Sequence, residues 1–378
     1  MQNWQKKLAS WQRKPITRRA SLFALGYGLV LSTSLLSCGT KTNQNQSQSQ
    51  TSTPVSSNPT SSPVAASTPT STNKVVRIVR SKQLTALAVL EKQGTLSEKL
   101  SPLGYKVEWL EFAAGPQQLE AINTGNLDIA STAESPPIFI QAAGAPLVYL
   151  ATTHKNGKLI SLLVPPNSPA KSINDLKGKK IAFQKASIGH YLLVKAVEKE
   201  GLKLTDVESV YLPPPDANIA FSQGKVDAWF VWEPFVTRAV QKNVGRVLFD
   251  GGELRDTRNF YSTSRQFYQA NPEVIKIFLE ELQKAEIWSK DHPQEMAEIL
   301  APVTQLDAPT LVEMHKKTEW GLQPITEEVT AKQQEVADMW YKLGLIPKQV
   351  NVREGFLSPQ EYAQFTPREV LASVPQEK

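Results

Sequence analysis

Val75-Val76-Arg77-Ile78-Val79 is a short run of β-branched residues broken by one charge, and this composition predicts a β-strand. The next segment, Leu84 to Glu91, has a helical pattern. The same order returns further on, with an alternating strand pattern at Lys106 to Phe112 and a helical pattern at Pro116 to Asn123. Strands that alternate with helices are typical of α/β proteins, so the sequence predicts this fold class from here onward.

A second set of elements repeats the order of the first. It has strands at 180–183, 207–212 and 226–231, a helix from Tyr191 to Glu200, and a helix from Ala217 to Gln223 with Asp216 as its cap. The repetition predicts two similar lobes. Residues 74–160 begin the first lobe, 161–255 form the second, and 256–378 return to the first and supply C-terminal helices. The first of these helices is predicted from Pro272 to about Lys290. Because two lobes joined by two crossing segments leave a cleft between them, we expect an interlobe ligand site.

Residues 1–37 have the layout of an export signal. A basic stretch precedes an apolar run from Leu22 to Leu36, which at 15 residues is shorter than the roughly 20 that a membrane-spanning helix needs. Leu35-Leu36-Ser37-Cys38-Gly39 resembles a bacterial lipobox, and Cys38 is the only cysteine of the chain. The sequence therefore predicts a signal peptide, lipidation of Cys38, and anchoring to the cell membrane after export. Thr17-Arg18-Arg19 resembles a twin-arginine signal, and a general secretory route stays open.

A low-complexity tether follows the cysteine. Residues 41–73 are mostly Ser, Thr, Gln and Asn with interspersed prolines, and they have scarcely any large apolar side chain. Such a segment cannot offset the entropy of ordering, so residues 38–73 are predicted to hold a folded body near the membrane without folding themselves.

The positive charge of the chain belongs to the leader. Six of the 42 Lys and Arg residues precede Cys38, where there is no Asp or Glu, so the remaining 36 match the 36 acids in number. A neutral body gives no basis for a nucleic-acid partner.

Small and polar residues stand where helices are predicted to begin: Gly115 before Pro116, Ser131-Thr132, Ser187 and Asp216. Free N–H groups and the positive end of the helix dipole favour an anion at such places. Each residue alone also fits an ordinary N-cap, so an anion site requires that several of them meet in one cleft.

Longer motifs carry a family likeness between about Arg77 and Trp288. They are Val107-Glu108-Trp109, Phe112-Ala113-Ala114-Gly115-Pro116-Gln117, Ser131-Thr132-Ala133-Glu134-Ser135-Pro136-Pro137, Asp175-Leu176-Lys177-Gly178, His190-Tyr191-Leu192-Leu193-Val194, Tyr211-Leu212-Pro213-Pro214 and Asp227-Ala228-Trp229-Phe230-Val231-Trp232-Glu233-Pro234. In this order they resemble the substrate-binding proteins of ABC importers for aliphatic sulfonates.

The resemblance implies a two-lobed periplasmic-binding-protein fold of type II, with the ligand cleft between lobes. Its function would be to capture a small organic anion by lobe closure and deliver it to a permease and its ATPase, as a monomer without a cofactor. An aliphatic sulfonate is the first choice of ligand. The wider family also binds taurine, nitrate and thiamine precursors, which stay open as alternatives.

The resemblance also implies roles for individual residues. The donors to the anion would be Ser131, Thr132, the backbone near Gly115, Ser187 and His190, while Trp232, with Phe112 or Trp229, would cover the organic tail. From the residues themselves, His190 fits a structural histidine as well as a donor.

Three further residues are candidates for contact with the ligand. The chain has Val79-Arg80-Ser81-Lys82 where related sequences have Gly-Tyr-Gln-Lys, and Arg80 would either grip an oxyanion or lie in solvent. Glu134 replaces a common Asp and could accept from a ligand amine. Glu233 before Pro234 could contact the ligand or shape a turn.

The rival class is an enzyme on the same fold, since desulfinases resemble these binders but use a nucleophilic cysteine. Cys38 lies in the leader and the body has no other cysteine, so we expect no enzyme. The spacing of His, Cys and acidic residues suggests no metal site. A solute sensor that signals to a membrane receptor is a second rival, which sequence alone does not separate from an importer component.

Overall fold

The computed structural model describes residues 74–373. The predicted signal peptide, Cys38 and the tether lie outside the described residues. The strands of the described part are β1 (Lys74–Val79), β2 (Tyr105–Leu110), β3 (Ala130–Ala133), β4 (Leu147–Thr152), β5 (Ile160–Val164), β6 (Lys180–Phe183), β7 (Glu208–Tyr211), β8 (Ala228–Trp232), β9 (Arg246–Asp250) and β10 (Asn259–Ser264).

The α-helices of the described part are α1 (Ala86–Gln93), α2 (Thr95–Leu100), α3 (Gly115–Asn123), α4 (Ser135–Ala142), α5 (Ile188–Lys199), α6 (Pro214–Ser222), α7 (Phe235–Gln241), α8 (Arg265–Ala270), α9 (Pro272–Asp291), α10 (Pro293–Thr304), α11 (Ala308–His315), α12 (Glu327–Lys342), α13 (Pro359–Tyr362) and α14 (Arg368–Ala372). Between residues 74 and 373, none of them combines the length and the apolar character that crossing a bilayer requires.

The first lobe contains two small sheets. Strands β1 and β2 pair in parallel, and β10 lies antiparallel between β3 and β4. A parallel bridge between Ile78 and Ile129 joins the two sheets. The core beneath them holds buried residues from the sheets and from α9, including Ile78, Tyr149 and Phe278.

The second lobe is built on one five-stranded sheet in the order β7-β6-β8-β5-β9. Strand β6 runs parallel to β7 and β8, and β5 runs antiparallel to β8 and β9. Strand β8 is buried on both faces, with Phe230 in one core cluster and Trp229 in the other. A strand buried on both faces explains why the run Ala228–Trp232 is apolar throughout.

Crossing segments join the lobes after β4 and after β9. The C-terminal part of the chain adds a further packing contact between the lobes, which the sequence did not predict. Helix α12 places Trp340 in the core of the second lobe, with its ring centroid 4.8 Å from that of His190. The same ring lies 5.2 Å from Phe139 on α4, whose strand neighbour β3 belongs to the first lobe. Helix α12 therefore packs against elements of both lobes.

Several predicted elements are confirmed, and others shift. The strand at 180–183 is β6, and the long helix from Pro272 is α9, which ends at Asp291. Helix α6 begins at Pro214 with Pro213 as its cap, so the prediction that Asp216 caps it is wrong. The prediction of a helix start at Ser131-Thr132 is wrong, since both residues lie inside β3. The helix that follows starts at Ser135, with Pro136 in its first turn.

Candidate functional site

A cavity of about 770 Å³ separates the lobes. Its first wall is formed by segments that follow β1 and β2 and by β3, and its second wall by segments that follow β6, β7 and β8. These are the carboxyl ends of strands that run parallel within each lobe, where ligands of α/β proteins bind. The predicted residues that line this cavity are Arg80, Phe112, Gly115, Ser131, Thr132, Ser187, Trp232 and Glu233.

The start of α3 is the main polar feature of the first wall. Its N-cap residue is Ala114, no side chain caps it, and Pro116 occupies its first turn. The first N–H groups of a helix have no intrahelical acceptor, so those of Gly115 and Gln117 are available to a ligand. This helix end attracts negative charge through the same groups.

Thr132 lies against that helix end. A Cβ built on Gly115 would lie 2.9 Å from Cγ of Pro136 and 3.3 Å from Cβ of Thr132, so the three segments meet as closely as a glycine permits. Thr132 is 3% exposed, and its hydroxyl has no hydrogen-bond partner among the described residues. A buried hydroxyl without a partner is costly, and a ligand in the cleft could satisfy it.

Ser131 and Gln118 support this wall from behind. The backbone N–H of Ser131 donates to Oε1 of Gln118 at 3.0 Å, and Ser131 stands opposite Tyr261 in the pairing of β3 with β10. The role of Ser131 is therefore partly to hold β3 and β10 in place. Gln118 and Tyr261 also line the cavity, and neither stands in a predicted motif position that could have revealed it.

On the second wall, Ser187 is an N-cap. Its Oγ donates to the Gln184 carbonyl at 2.7 Å and accepts from the His190 N–H at 3.4 Å. The single proton of its hydroxyl is thus engaged within the protein, and in this arrangement Ser187 does not donate to a ligand, contrary to its predicted role. Trp232 ends β8 and offers its indole as an apolar surface.

His190, Glu134 and Asp216 do not line the cavity. The His190 ring packs on Phe183 at 4.9 Å, and burial lowers its pKa to about 3, so it is a neutral structural histidine. Burial raises the pKa of Glu134 to about 7, against the opposing charges of Arg255 and Arg258. Asp216 is exposed on the first turn of α6. All three lie at or near the start of a helix, but the sequence could not give the direction of their side chains.

Arg80 and Glu233 line the cavity with their charged groups engaged elsewhere. Nε of Arg80 lies 2.8 Å from Oε1 of Glu91 in an ion pair. Glu233 accepts from the N–H and the hydroxyl of Thr237 at 3.0 and 2.8 Å, which fixes the start of α7. Trp229, predicted with Phe112 as an alternative companion of Trp232, is 1% exposed and belongs to the core.

The rim of the cavity is bridged between lobes. From α7 in the second lobe, Arg238 donates to Oε1 of Gln305 at 3.0 Å, and Gln241 donates to Oγ1 of Thr310 at 2.8 Å. Gln305 and Thr310 lie at the junction of α10 and α11 in the first lobe. No cluster of His, Cys, Asp and Glu within residues 74–373 has the arrangement of a metal site.

Residues 66–303 match the model of a protein family described as the NMT1-like family. The chain belongs to the NMT1-like family. Two solved structures extend this likeness. The periplasmic aliphatic sulphonate binding protein SsuA from Escherichia coli is 40% identical, with a TM-score of 0.67, over 76% of this chain and 92% of that one. The alkanesulfonate-binding protein SsuA from Xanthomonas axonopodis pv. citri, bound to MOPS, is 35% identical, with a TM-score of 0.71, over 75% of this chain and 98% of that one.

A third relative is the taurine-binding periplasmic protein of E. coli (strain K12). It is 28% identical over 55% of this chain and 68% of the relative. All three of these proteins are named as binding proteins. The predicted two-lobed periplasmic-binding-protein fold is confirmed.

Proposed function

We propose that this chain is the extracytoplasmic binding component of an ABC importer and that its cleft captures an aliphatic sulfonate. The observation that carries the proposal is the meeting of two unsatisfied donors at one point of the cleft. They are the uncapped start of α3 and the buried hydroxyl of Thr132, brought into contact at Gly115. The 40% identity to an aliphatic sulphonate binding protein supports the same ligand class.

The groups at the contact between the start of α3 and Thr132 suit a sulfonate. A sulfonate is fully ionised at physiological pH and requires donors only, whereas a phosphate, which is partly protonated, would also use an acceptor. N–H groups and a hydroxyl supply such donors without a formal charge. Phe112 and Trp232 border the same cavity and offer apolar cover for a short alkyl chain.

Calorimetric titration of the purified protein with a panel of ligands tests this proposal. We expect 1:1 binding of alkanesulfonates of short chain length, with weaker or undetected binding of nitrate and of a pyrimidine. Binding of the pyrimidine alone, without a response to any sulfonate, would refute the assignment.

Thr132→Val is expected to weaken sulfonate binding about 5- to 150-fold. Valine has nearly the shape of threonine but cannot donate, and a buried ligand oxygen left without its donor costs about 1–3 kcal/mol. Titration with butanesulfonate measures the effect. Thr132→Ser keeps the hydroxyl and is expected to bind within a few-fold of the wild type, so equal losses in both variants would contradict a donor role.

Lobe closure would complete capture, with the closed form presented to the permease and its ATPase. The bonds from Arg238 to Gln305 and from Gln241 to Thr310 join the lobes at the rim, so entry and release of a ligand would require them to break. The protein would act without changing any bond of the ligand. The described residues contain no cysteine that could serve as the nucleophile of a desulfinase, and recovery of an unchanged sulfonate after incubation, read by mass spectrometry, tests this point.

The sequence adds a membrane anchor to the proposal. Cys38→Ser is expected to abolish incorporation of labelled fatty acid and to release the protein from the membrane fraction, because the thiol of Cys38 would be the acylated group. Metabolic labelling followed by fractionation measures both effects. Undiminished labelling of the variant would refute lipidation at this residue.

A further inference from the structure

Glu286 on α9 is a buried acid that lines the cleft. It is 6% exposed, and one oxygen of its carboxyl accepts from the N–H of Gly321 at 3.0 Å. No ion pair joins it to a basic residue anywhere in the described part of the chain. Burial raises the pKa of Glu286 to about 7, and only the Gly321 bond opposes this effect.

The other buried acids of the described residues differ from Glu286 in this respect. Glu281, on the same helix, lies 2.7 Å from Nζ of Lys284. Glu134 lies in the field of Arg255 and Arg258. Removing a carboxylate from water without a counter-charge is expensive. Glu286 is therefore a buried acid whose positive partner is not supplied by residues 74–373.

Glu286 lies close to the proposed anion site without being part of it. Tyr261 connects the two, because it stands opposite Ser131 in the pairing of β3 with β10, and because burial and the nearby charge of Glu286 raise the pKa of its hydroxyl. Tyr261 and Glu286 both line the cavity to which Thr132 and Gly115 belong. A ligand whose sulfonate lies at Thr132 could thus direct its other end towards Glu286.

Trp320 borders the same end of the cavity. It precedes Gly321, whose N–H holds the Glu286 carboxyl, and its indole N–H is buried without a partner in the described residues. Indole rings attract cations through their faces. A carboxyl and an indole at the end of a cleft are the groups that would recognise a protonated amine.

We propose that Glu286 supplies the counter-charge for a cationic group at the far end of the ligand, so that the cleft prefers aminoalkanesulfonates to plain alkanesulfonates. This inference rests on the proposed function and names the ligand class of that same site. In the complex, the sulfonate would receive its donors near Thr132, and the ammonium would neutralise Glu286.

The test compares two ligands of the same length, 3-aminopropanesulfonate and butanesulfonate, which differ by an ammonium in place of a methyl group. Calorimetric titration of the full chain is expected to give at least tenfold tighter binding of the amino compound. Glu286→Gln, which can still accept from Gly321, is expected to remove this preference by weakening the amino compound alone. Glu281→Gln is the matched control, a buried acid on the same helix outside the cleft, and is expected to keep the preference.

Equal affinity of the wild type for the two ligands would overturn the role of Glu286 and leave the proposed function standing. An equal loss of affinity for both ligands in Glu286→Gln would also overturn the role of Glu286 and leave the proposed function standing. Failure of both sulfonates to bind the wild type would refute the proposed function as well. Because the wild-type comparison decides by itself, a variant that failed to fold would not remove the test.

Discussion

Gly115→Val is expected to weaken the binding of an alkanesulfonate by about 100-fold or more, and Gly115→Ala by about tenfold, corresponding to about 1.4 kcal/mol for each factor of ten. The cause is space. A Cβ at this position would lie 2.9 Å from Cγ of Pro136, which is closer than side chains pack, and 3.3 Å from Cβ of Thr132, which is a tight contact. The start of α3 must move away from Thr132, and the two donors then no longer face the same anion.

Gly178→Ala serves as the control for this prediction. The backbone of Gly178 has a φ of +72°, and a Cβ there meets nothing within 4 Å. This substitution is expected to strain the backbone and lower stability by about 1 kcal/mol without changing the affinity. Calorimetric titration with butanesulfonate, together with thermal unfolding, separates the two effects. Wild-type affinity in a folded Gly115→Val protein would show that the start of α3 is not part of the site.

Trp340→Ala is expected to lower the free energy of unfolding by about 3–5 kcal/mol, the usual cost of deleting a large buried aromatic side chain. Trp340 is fully buried, and its ring lies 4.8 Å from His190, 5.2 Å from Phe139 and 6.0 Å from Tyr191. The cavity left by its removal would open between α12 and both lobes.

Tyr341 is the next residue on α12 and provides the comparison. It is 46% exposed, so Tyr341→Ala is expected to change the free energy of unfolding by less than about 0.5 kcal/mol. Urea unfolding of the two variants and the wild type measures the difference. A loss below 1 kcal/mol for Trp340→Ala would contradict the packing described here.

The fold was largely predictable because its signals are local. Val75–Val79, Lys180–Phe183 and the helix from Pro272 each have a clear period and clear end signals, and the structure has β1, β6 and α9 at these places. Short strands were less predictable. Ser131 and Thr132 belong to a strand of four residues, too short for a period to separate it from the following helix.

The candidate site was predictable as a location and less so as a set of contacts. Gly115 and Thr132 line the cleft as expected, because Gly115 opens the helix that follows β2 and Thr132 lies in β3, which forms part of the same wall. His190 and Glu134 lie within two residues of the cleft wall but are buried behind it, so the direction of each side chain decides whether it reaches the cleft. The sequence does not show the direction of these side chains, because that direction depends on packing partners such as Trp340 and Arg255.

Glu286 could not have been found from the sequence for a related reason. Helix α9 carries several acids and lysines, and Glu286 looks like another residue of a solvated face. Its burial follows from the return of the chain at Trp320 and Gly321, which covers that part of the helix. The burial of Glu286 thus depends on contacts between segments distant in sequence.

A crystal structure of the protein with butanesulfonate would show directly which groups hold the anion. We expect one sulfonate in the cleft, with its oxygens about 2.7–3.2 Å from Oγ1 of Thr132 and from the backbone nitrogen of Gly115 or Gln117, and with the alkyl chain beside Trp232. A sulfonate held at the rim by lysine or arginine side chains, with the Thr132 hydroxyl still unpartnered, would contradict it.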